Sequence, residues 1–270
     1  MHGLVVHSLG AWRTGVRNRG VQALLALALF VVALSWLTAS FSGRQPQTVA
    51  LDMGISLVRL LGALLAAFWV QELLVRDIER RTVFWALAYP VGRATYLLGR
   101  SAGVFALLAL YVALMAAMLY FTLKLVGLDG YQQAHPVRMG WGYALTFLLI
   151  FLDLAVITCF AAALASQATV AMLPFFATLA LAFSARMIGP VQQYLLEQIE
   201  GDRLSAALRP AVEGISWILP DLSRLDVRET VLYGHWPAPG DLAFSGLHAA
   251  AYGALLLALA AWAFERREFE

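Results

Sequence analysis

The sequence predicts an all-α integral membrane protein that crosses the bilayer six times. Its 270 residues are 61% hydrophobic and only 13% charged, whereas soluble domains carry about 25% charged residues. The apolar residues gather in runs of about 20, the length that an α-helix needs to cross a hydrocarbon core of about 30 Å. Arginines are concentrated in alternate connections between these runs, and this asymmetry indicates one fixed orientation in the membrane.

The six predicted spans follow the apolar runs and form, with their connections, a single transmembrane domain over residues 1–270. We place the spans at residues 21–40, 55–75, 102–123, 141–165, 169–188 and 244–264. The first span is predicted to be retained and not cleaved as a signal peptide. A long polar segment precedes it, and its apolar run is long enough to span the membrane.

Both termini are predicted to face the cytoplasm. Segment 1–19 carries three arginines and the connection 76–100 carries five more. The connections 41–54 and 124–140 together carry only three lysines and arginines. Because positive charge accumulates on the cytoplasmic side, 76–100 is predicted to be cytoplasmic and 189–243 external.

Two segments outside the bilayer have patterns of their own. Apolar side chains recur at helical spacing among the arginines of 1–19, which predicts an amphipathic helix on the inner leaflet. A basic flank that only sets the topology is the alternative. The segment 189–243 combines an amphipathic stretch with turn signals at Pro220 and Pro239, and it is predicted to be an external helical insertion. It acts either as an interfacial cap over the outer mouth of the bundle or as a passive folded lid.

Motifs for covalent chemistry are missing from the sequence. The single cysteine, Cys159, allows no intramolecular disulfide or cysteine-based metal site. Gly92 and Gly99 lack the spacing and the lysine of a phosphate-binding loop. The arginines are scattered through connections and form no basic face for nucleic acid. The sequence therefore predicts a chain that is not an enzyme and has no cofactor or metal of its own.

One acidic residue falls in the middle of a predicted span. An ionised carboxylate near the centre of the fourth span costs at least about 2.5–3.5 kcal/mol, so Asp153 must face the bundle interior. It is either a proton or cation site, a polar wall of a substrate path, or a buried hydrogen-bonded carboxyl that holds helices together. Arg59 is a candidate partner, although the predicted spans separate the two by about seven residues in depth.

The connection after the second span carries the most specific pattern. Residues 87–93 read LAYPVGR and residues 96–100 read YLLGR, shortly after Glu79. This block resembles that of the permease subunits of type-2 ATP-binding-cassette (ABC) exporters, although Arg81 stands where the family usually has glycine. Six spans, internal termini and an external insertion before the last span are similar to that family as well.

The resemblance implies that residues 76–95 form a cytoplasmic coupling helix that docks on a separate ATPase subunit. Aromatic side chains dominate the binding energy of interfaces, and Pro90 ends the helix because it has no N–H to donate. A basic topology determinant without a partner is the alternative. The residues expected to contact the ATPase are Asp77, Glu79, Arg80, Arg81, Phe84, Trp85 and Tyr89.

The function implied by the resemblance is that of a permease subunit in an ATP-driven exporter of the bacterial cytoplasmic membrane. Its partners are then two ATPase subunits, which bind ATP and Mg²⁺, and a second permease copy in a homodimer or with a close paralogue. One alternative is a permease that does mechanical work on a periplasmic partner through 189–243. Another is a stand-alone secondary transporter or channel that uses Asp153, although the sequence has no recognisable internal repeat.

Overall fold

The described part of the chain is a bundle of helices. The computed structural model describes residues 8–10, 12, 20–79, 92–127, 137, 139–168, 170, 172–197, 214 and 220–267. None of these residues lies in a β-strand. The all-α class predicted from the sequence is thus confirmed for the described part.

Eight α-helices and two short turns of other helical type have described bounds. They are α1 (Gly20–Phe41), α2 (Pro46–Val70), a π-helical turn (Gln71–Val75), α3 (Arg76–Glu79), α4 (Arg93–Val126), α5 (Trp141–Gln167), α6 (Leu173–Glu197), a 3₁₀ turn (Leu222–Leu225), α7 (Arg228–Leu232) and α8 (Pro239–Arg266).

Five helical segments are long and apolar enough to cross a membrane, as judged by length and composition. They are α2 with its π turn, α4, α5, the part Leu173–Tyr194 of α6, and α8. The apolar stretch Ala26–Phe41 of α1 is shorter. A sixth span in α1 and the cytoplasmic location of both termini stay predictions.

Helices α2 and α5 form the centre of the bundle. Helix α2 packs against α1, α4, α5 and α6, while α5 packs against α2, α4, α6 and α8. A small residue lets the two central helices approach each other, since a Cβ added at Gly62 would lie 2.6 Å from Leu154 Cδ1. One turn away from Gly62 on α2 is Arg59, which this close approach brings towards α5.

Helices α2 and α6 each extend nine residues beyond their predicted spans on the predicted outer side. Helix α2 begins at Pro46, nine residues before the predicted boundary at residue 55, and proline is well tolerated in a first helical turn. Helix α6 continues through Pro190 to Glu197. The amphipathic stretch predicted to open the external insertion therefore begins as a continuation of α6.

Candidate functional site

Asp153 forms ion pairs with two arginines from neighbouring helices. Its side chain is fully buried on α5. The Nε of Arg59 on α2 donates to Asp153 Oδ2 at 3.3 Å, and Nη2 of Arg186 on α6 donates to the same oxygen at 2.6 Å. Asp153 therefore joins three helices of the bundle.

The depth mismatch expected between Arg59 and Asp153 is absent from the structure. Arg59 lies 13 residues after the start of α2 at Pro46, and Asp153 lies 12 residues after the start of α5 at Trp141. Both are therefore about 18–20 Å along their helices from the same end of the bundle. The expected offset came from placing the second span at 55–75, well after the helix begins.

The ion pairs continue outward onto residues 220–232. Arg59 Nη1 lies 2.5 Å from Asp226 Oδ2, and Arg228 Nη2 lies 2.6 Å from the same oxygen. Arg228 Nη1 reaches back to Asp52 Oδ1 on α2 at 2.8 Å. We call this series of alternating charges the charge chain. Its members, from the buried end to the exposed end, are Arg186, Asp153, Arg59, Asp226, Arg228 and Asp52.

The charged groups in the outer part of the charge chain stabilise one another. Burial by itself would raise the pKa of the Asp226 carboxyl, but the hydrogen bonds from Arg228 and the charge of Arg59 hold that pKa below its usual value. Burial by itself would likewise lower the pKa of Arg228, but the Asp226 and Asp52 carboxylates raise it. Removing one partner of such a buried pair leaves an uncompensated charge, which is strongly destabilising.

A hydrogen bond from Arg59 and a close approach to α6 also hold residues 220–225 against the bundle. Arg59 Nη2 donates to the carbonyl of Leu222 at 3.4 Å. The Asp221 carboxylate caps the 3₁₀ turn by accepting from the backbone N–H of Ser223 at 3.0 Å. On α6, a Cβ added at Gly189 would lie 2.1 Å from Ser223 Oγ. Only glycine leaves room there for the turn to pack against α6.

The buried end of the charge chain is incompletely satisfied among the described residues. Asp153 Oδ1 and Arg186 Nε are buried and have no hydrogen-bond partner there. The remaining bonds of Arg186 are long, because its Nη1 and Nη2 each lie 3.4 Å from the carbonyl oxygen of Arg59. Arg186 is therefore the least compensated cation of the charge chain.

A cavity of about 610 Å³ opens beside the charge chain, between α2, α6 and residues 223–233. All members of the charge chain except Asp153 line this cavity. Its other polar walls include Ser56, Gln193, Ser223 and Glu229, and its apolar walls include Leu60, Phe183 and Met187. Asp153 thus lies behind the wall of the cavity, where it positions Arg59 and Arg186.

Asp153 and Arg59 were singled out from the sequence, but the other four members of the charge chain were missed. Arg186 could have been found by the reasoning applied to Asp153, because an arginine inside an apolar helix also needs a partner. Asp226 and Arg228 follow no periodic pattern, and their contacts with α2 bridge more than 160 positions along the chain. They could not have been found in that way.

At the opposite end of the bundle, the structure describes the beginning of the predicted coupling segment. Asp77 on α3 accepts a hydrogen bond from the Tyr96 hydroxyl at 2.8 Å and forms an ion pair with Arg100. The Tyr96 ring stacks on Phe264 of α8 at 6.3 Å between centroids. Asp77 therefore anchors the coupling segment to α4, next to α8.

The other predicted contact residues have no described side chains. Glu79 is the last residue of α3, and only its backbone is described. Arg80, Arg81, Phe84, Trp85 and Tyr89 lie outside the described residues. Their contact with an ATPase stays a prediction.

The sequence of this chain is similar in part to that of a known transporter subunit. Over 104 residues it is 36% identical to probable ABC transporter permease protein NosY of Stutzerimonas stutzeri. The matched region is 36% of this chain and 37% of that protein. No family model matches the chain. The described part of this chain has five helices that are long and apolar enough to cross a membrane. About a third of the chain is similar in sequence to an ABC transporter permease.

Proposed function

We propose that this chain is the membrane-spanning, non-catalytic subunit of an ABC transporter of the type-2 exporter class. The observation that carries the proposal is the 36% identity over 104 residues with an ABC transporter permease. ATP and Mg²⁺ bind to a separate ATPase chain, present in two copies. This chain converts the closure of that ATPase pair into movement of its own helices.

One continuous helical rod supports such a conversion. Helix α2, the π turn and α3 follow one another without interruption from Pro46 to Glu79. These 34 residues extend over about 50 Å. Arg59 and the cavity lie along the outer half of the rod, and Asp77 lies at its cytoplasmic end. A displacement of the coupling segment therefore moves the wall of the cavity and the ion pairs that hold residues 220–232.

The π turn at Gln71–Val75 gives this rod a point of adjustment. Such turns are rare and frequently occur at functional sites. A π turn holds one residue more than the corresponding α-helical turn, and one residue corresponds to about 100° of rotation about the helix axis. We infer that a change between π and α geometry at this turn rotates the coupling segment relative to α2.

Assembly with a second permease copy, identical or closely related, in a bacterial cytoplasmic membrane is part of the same proposal. Only 28% of the apolar window of α6 and 22% of that of α8 are buried within the chain. Their exposed faces carry large apolar side chains such as Phe176, Phe244 and Trp262. Lipid and a second copy are the two surroundings that suit such faces.

A second candidate function is mechanical work on an external partner. It is favoured by the fixation of residues 220–232 to α2 through Arg59 and Arg228, because movement of the rod then reaches an external surface. A secondary transporter that uses Asp153 is less well supported. Arg59 and Arg186 already contact Asp153 Oδ2, and their positive charges repel an incoming cation.

Co-purification tests the proposal. The chain, tagged at one terminus, is expressed together with a P-loop ATPase from the same genome that lacks a membrane domain, and it is extracted in mild detergent. We expect the ATPase to co-purify and its rate of ATP hydrolysis to depend on the permease. A chain that purifies alone, and that carries out ion-coupled uptake in vesicles without ATP, would instead support the secondary transporter.

A further inference from the structure

We propose that the cavity beside the charge chain is a binding site for an amphiphile with an anionic group, phosphate or carboxylate. The anionic group lies against Arg186 and Arg59, and the apolar chain lies along the exposed side of α2 and α6. This binding needs only the permease chain, so it does not depend on the ATPase partner proposed above.

The distribution of charge with depth favours an anion. Among the described residues, the enclosed part of the site holds three cations and two carboxylates, which leaves one excess positive charge (3 − 2 = 1). These groups are Arg59, Arg186 and Arg228 on one side, and Asp153 and Asp226 on the other. Asp52 and Glu229 lie at the rim, where Glu229 is exposed to water and 51% of the Asp52 side chain is exposed. Charges in water are screened far more than enclosed ones, so the interior of the cavity is attractive to an anion.

Arg186 is the group with the most capacity left for a ligand. Its one described carboxylate partner is Asp153, which it shares with Arg59. Arg59 and Arg228, by contrast, each contact two carboxylates among the described residues. A phosphate or carboxylate near Arg186 gains charge-assisted hydrogen bonds, which are about twice as strong as neutral ones.

The lateral wall of the cavity is apolar and exposed. Phe183 and Met187, one turn apart on α6, are 51% and 57% exposed, and Leu60 on α2 is 40% exposed. All three lie on helical segments that are fit to cross a membrane. A ligand with its anionic group in the cavity can therefore lay a hydrocarbon chain over these residues without leaving the apolar layer.

The volume of the cavity also suits such a ligand. At about 610 Å³, it lies within the range of about 300–1,000 Å³ of small-molecule sites. It has room for a head group and the first part of a chain. A polar surface and an apolar surface that meet in one cavity are what an amphiphile requires.

Native mass spectrometry of the purified chain in a non-ionic detergent tests this proposal. The probes are dioleoylphosphatidylglycerol, dioleoylphosphatidylcholine, sodium oleate and inorganic phosphate. We expect phosphatidylglycerol and oleate to bind more tightly than phosphatidylcholine, and phosphate alone to bind weakly. Arg186→Gln should weaken the binding of phosphatidylglycerol about tenfold or more, because hydrogen bonds to a charged group are lost.

Two matched controls separate the site from general lipid binding. Phe183→Ala, in the wall of the cavity, should weaken the binding of phosphatidylglycerol severalfold. Phe121→Ala should have no effect, because Phe121 is 63% exposed and lies on α4, which does not line the cavity. Arg224→Gln should also have no effect, since Arg224 is an exposed arginine of the outer segment that does not line this cavity. Because the Phe183 side chain is half exposed, its truncation leaves the fold intact and keeps the test decisive if Arg186→Gln unfolds.

The possible outcomes are distinct. Equal binding of both phospholipids, together with equal effects of Phe183→Ala and Phe121→Ala, would show a non-specific lipid layer and overturn the proposal. Inorganic phosphate that binds as tightly as phosphatidylglycerol would identify a site for free anions and would also overturn it. Selective binding that is lost in Phe183→Ala supports it, whether or not an ATPase co-purifies.

Discussion

Replacing Asp153 by asparagine removes the carboxylate that Arg59 and Arg186 share. In this variant Arg186 loses the one carboxylate that contacts it among the described residues, while Arg59 keeps its contact with Asp226. Removing one partner of a buried ion pair costs about 3–5 kcal/mol. Because the asparagine oxygen can still accept one hydrogen bond, we expect Asp153→Asn to lower the free energy of unfolding by about 3 kcal/mol.

The same geometry predicts a smaller effect for Arg59→Gln. Without Arg59, the remaining groups still form two balanced pairs, Arg186 with Asp153 and Arg228 with Asp226. The loss is then mainly that of hydrogen bonds, about 1–2 kcal/mol. The double variant Asp153→Asn/Arg186→Gln removes both charges of one pair, so its cost should fall below the sum of the two single costs by at least about 1.5 kcal/mol.

Unfolding in mixed micelles of dodecylmaltoside and dodecyl sulfate, followed by circular dichroism, measures these free energies. We expect Asp153→Asn to lower the free energy of unfolding more than Arg59→Gln does. The cost of the double variant should be clearly smaller than the sum of the costs of Asp153→Asn and Arg186→Gln. The account of the buried charges is wrong if Arg59→Gln costs as much as Asp153→Asn, or if the costs of Asp153→Asn and Arg186→Gln simply add.

Three further predictions concern the topology and the outer segment. Cysteines in place of Arg80 and Arg224 should be labelled from opposite sides of the membrane, Arg80 from the cytoplasm, and labelling from one side would refute the six-span topology. Because the folded pKa of Asp226 is lowered, its stabilising contribution is present above the ordinary carboxyl pKa of about 4 and is lost as pH falls through the lowered value. Hydrogen exchange of residues 220–232, corrected for intrinsic rates, should be flat from about pH 8 to 5 and rise in stronger acid, and a rise near neutral pH would contradict this. Gly189→Leu should release the turn around Ser223, seen as faster exchange there with α5 unchanged, and an unaltered exchange rate would mean that the close approach is not needed.

The sequence predicts the helices of this protein better than their ends. The apolar runs predict five long helices in the right order, because each run must satisfy its own backbone hydrogen bonds in the membrane. The beginning of α2 at Pro46 and the extension of α6 past Pro190 could not be predicted in the same way. Outside the hydrocarbon core, helix continuation depends on packing against neighbours and no longer on hydropathy.

The sequence likewise predicts some residues of the candidate site and not others. Asp153 stands out because a charge in an apolar run is costly wherever it occurs. Its pairing with Arg59 depended on the register between α2 and α5, which the predicted span boundary at residue 55 obscured, because α2 begins nine residues earlier. Asp226 joins the site only because residues 220–232 fold back onto α2, and a connecting segment carries no periodic signal for such contacts. Asp77 is bound to Tyr96 and Arg100 in the structure, and its contact with the ATPase stays a prediction.

Photo-crosslinking from position 85 tests the central claim most directly. Benzoylphenylalanine replaces Trp85 in the intact chain, cells are irradiated, and the products are identified by mass spectrometry. Phe41 serves as the control position, because it is 82% exposed and lies at the predicted outer end of α1. The proposed function predicts a covalent product between position 85 and a P-loop ATPase, and no such product from position 41. Failure to form that product from position 85, in cells where both chains are present, would contradict the assignment of this chain as an ABC transporter permease.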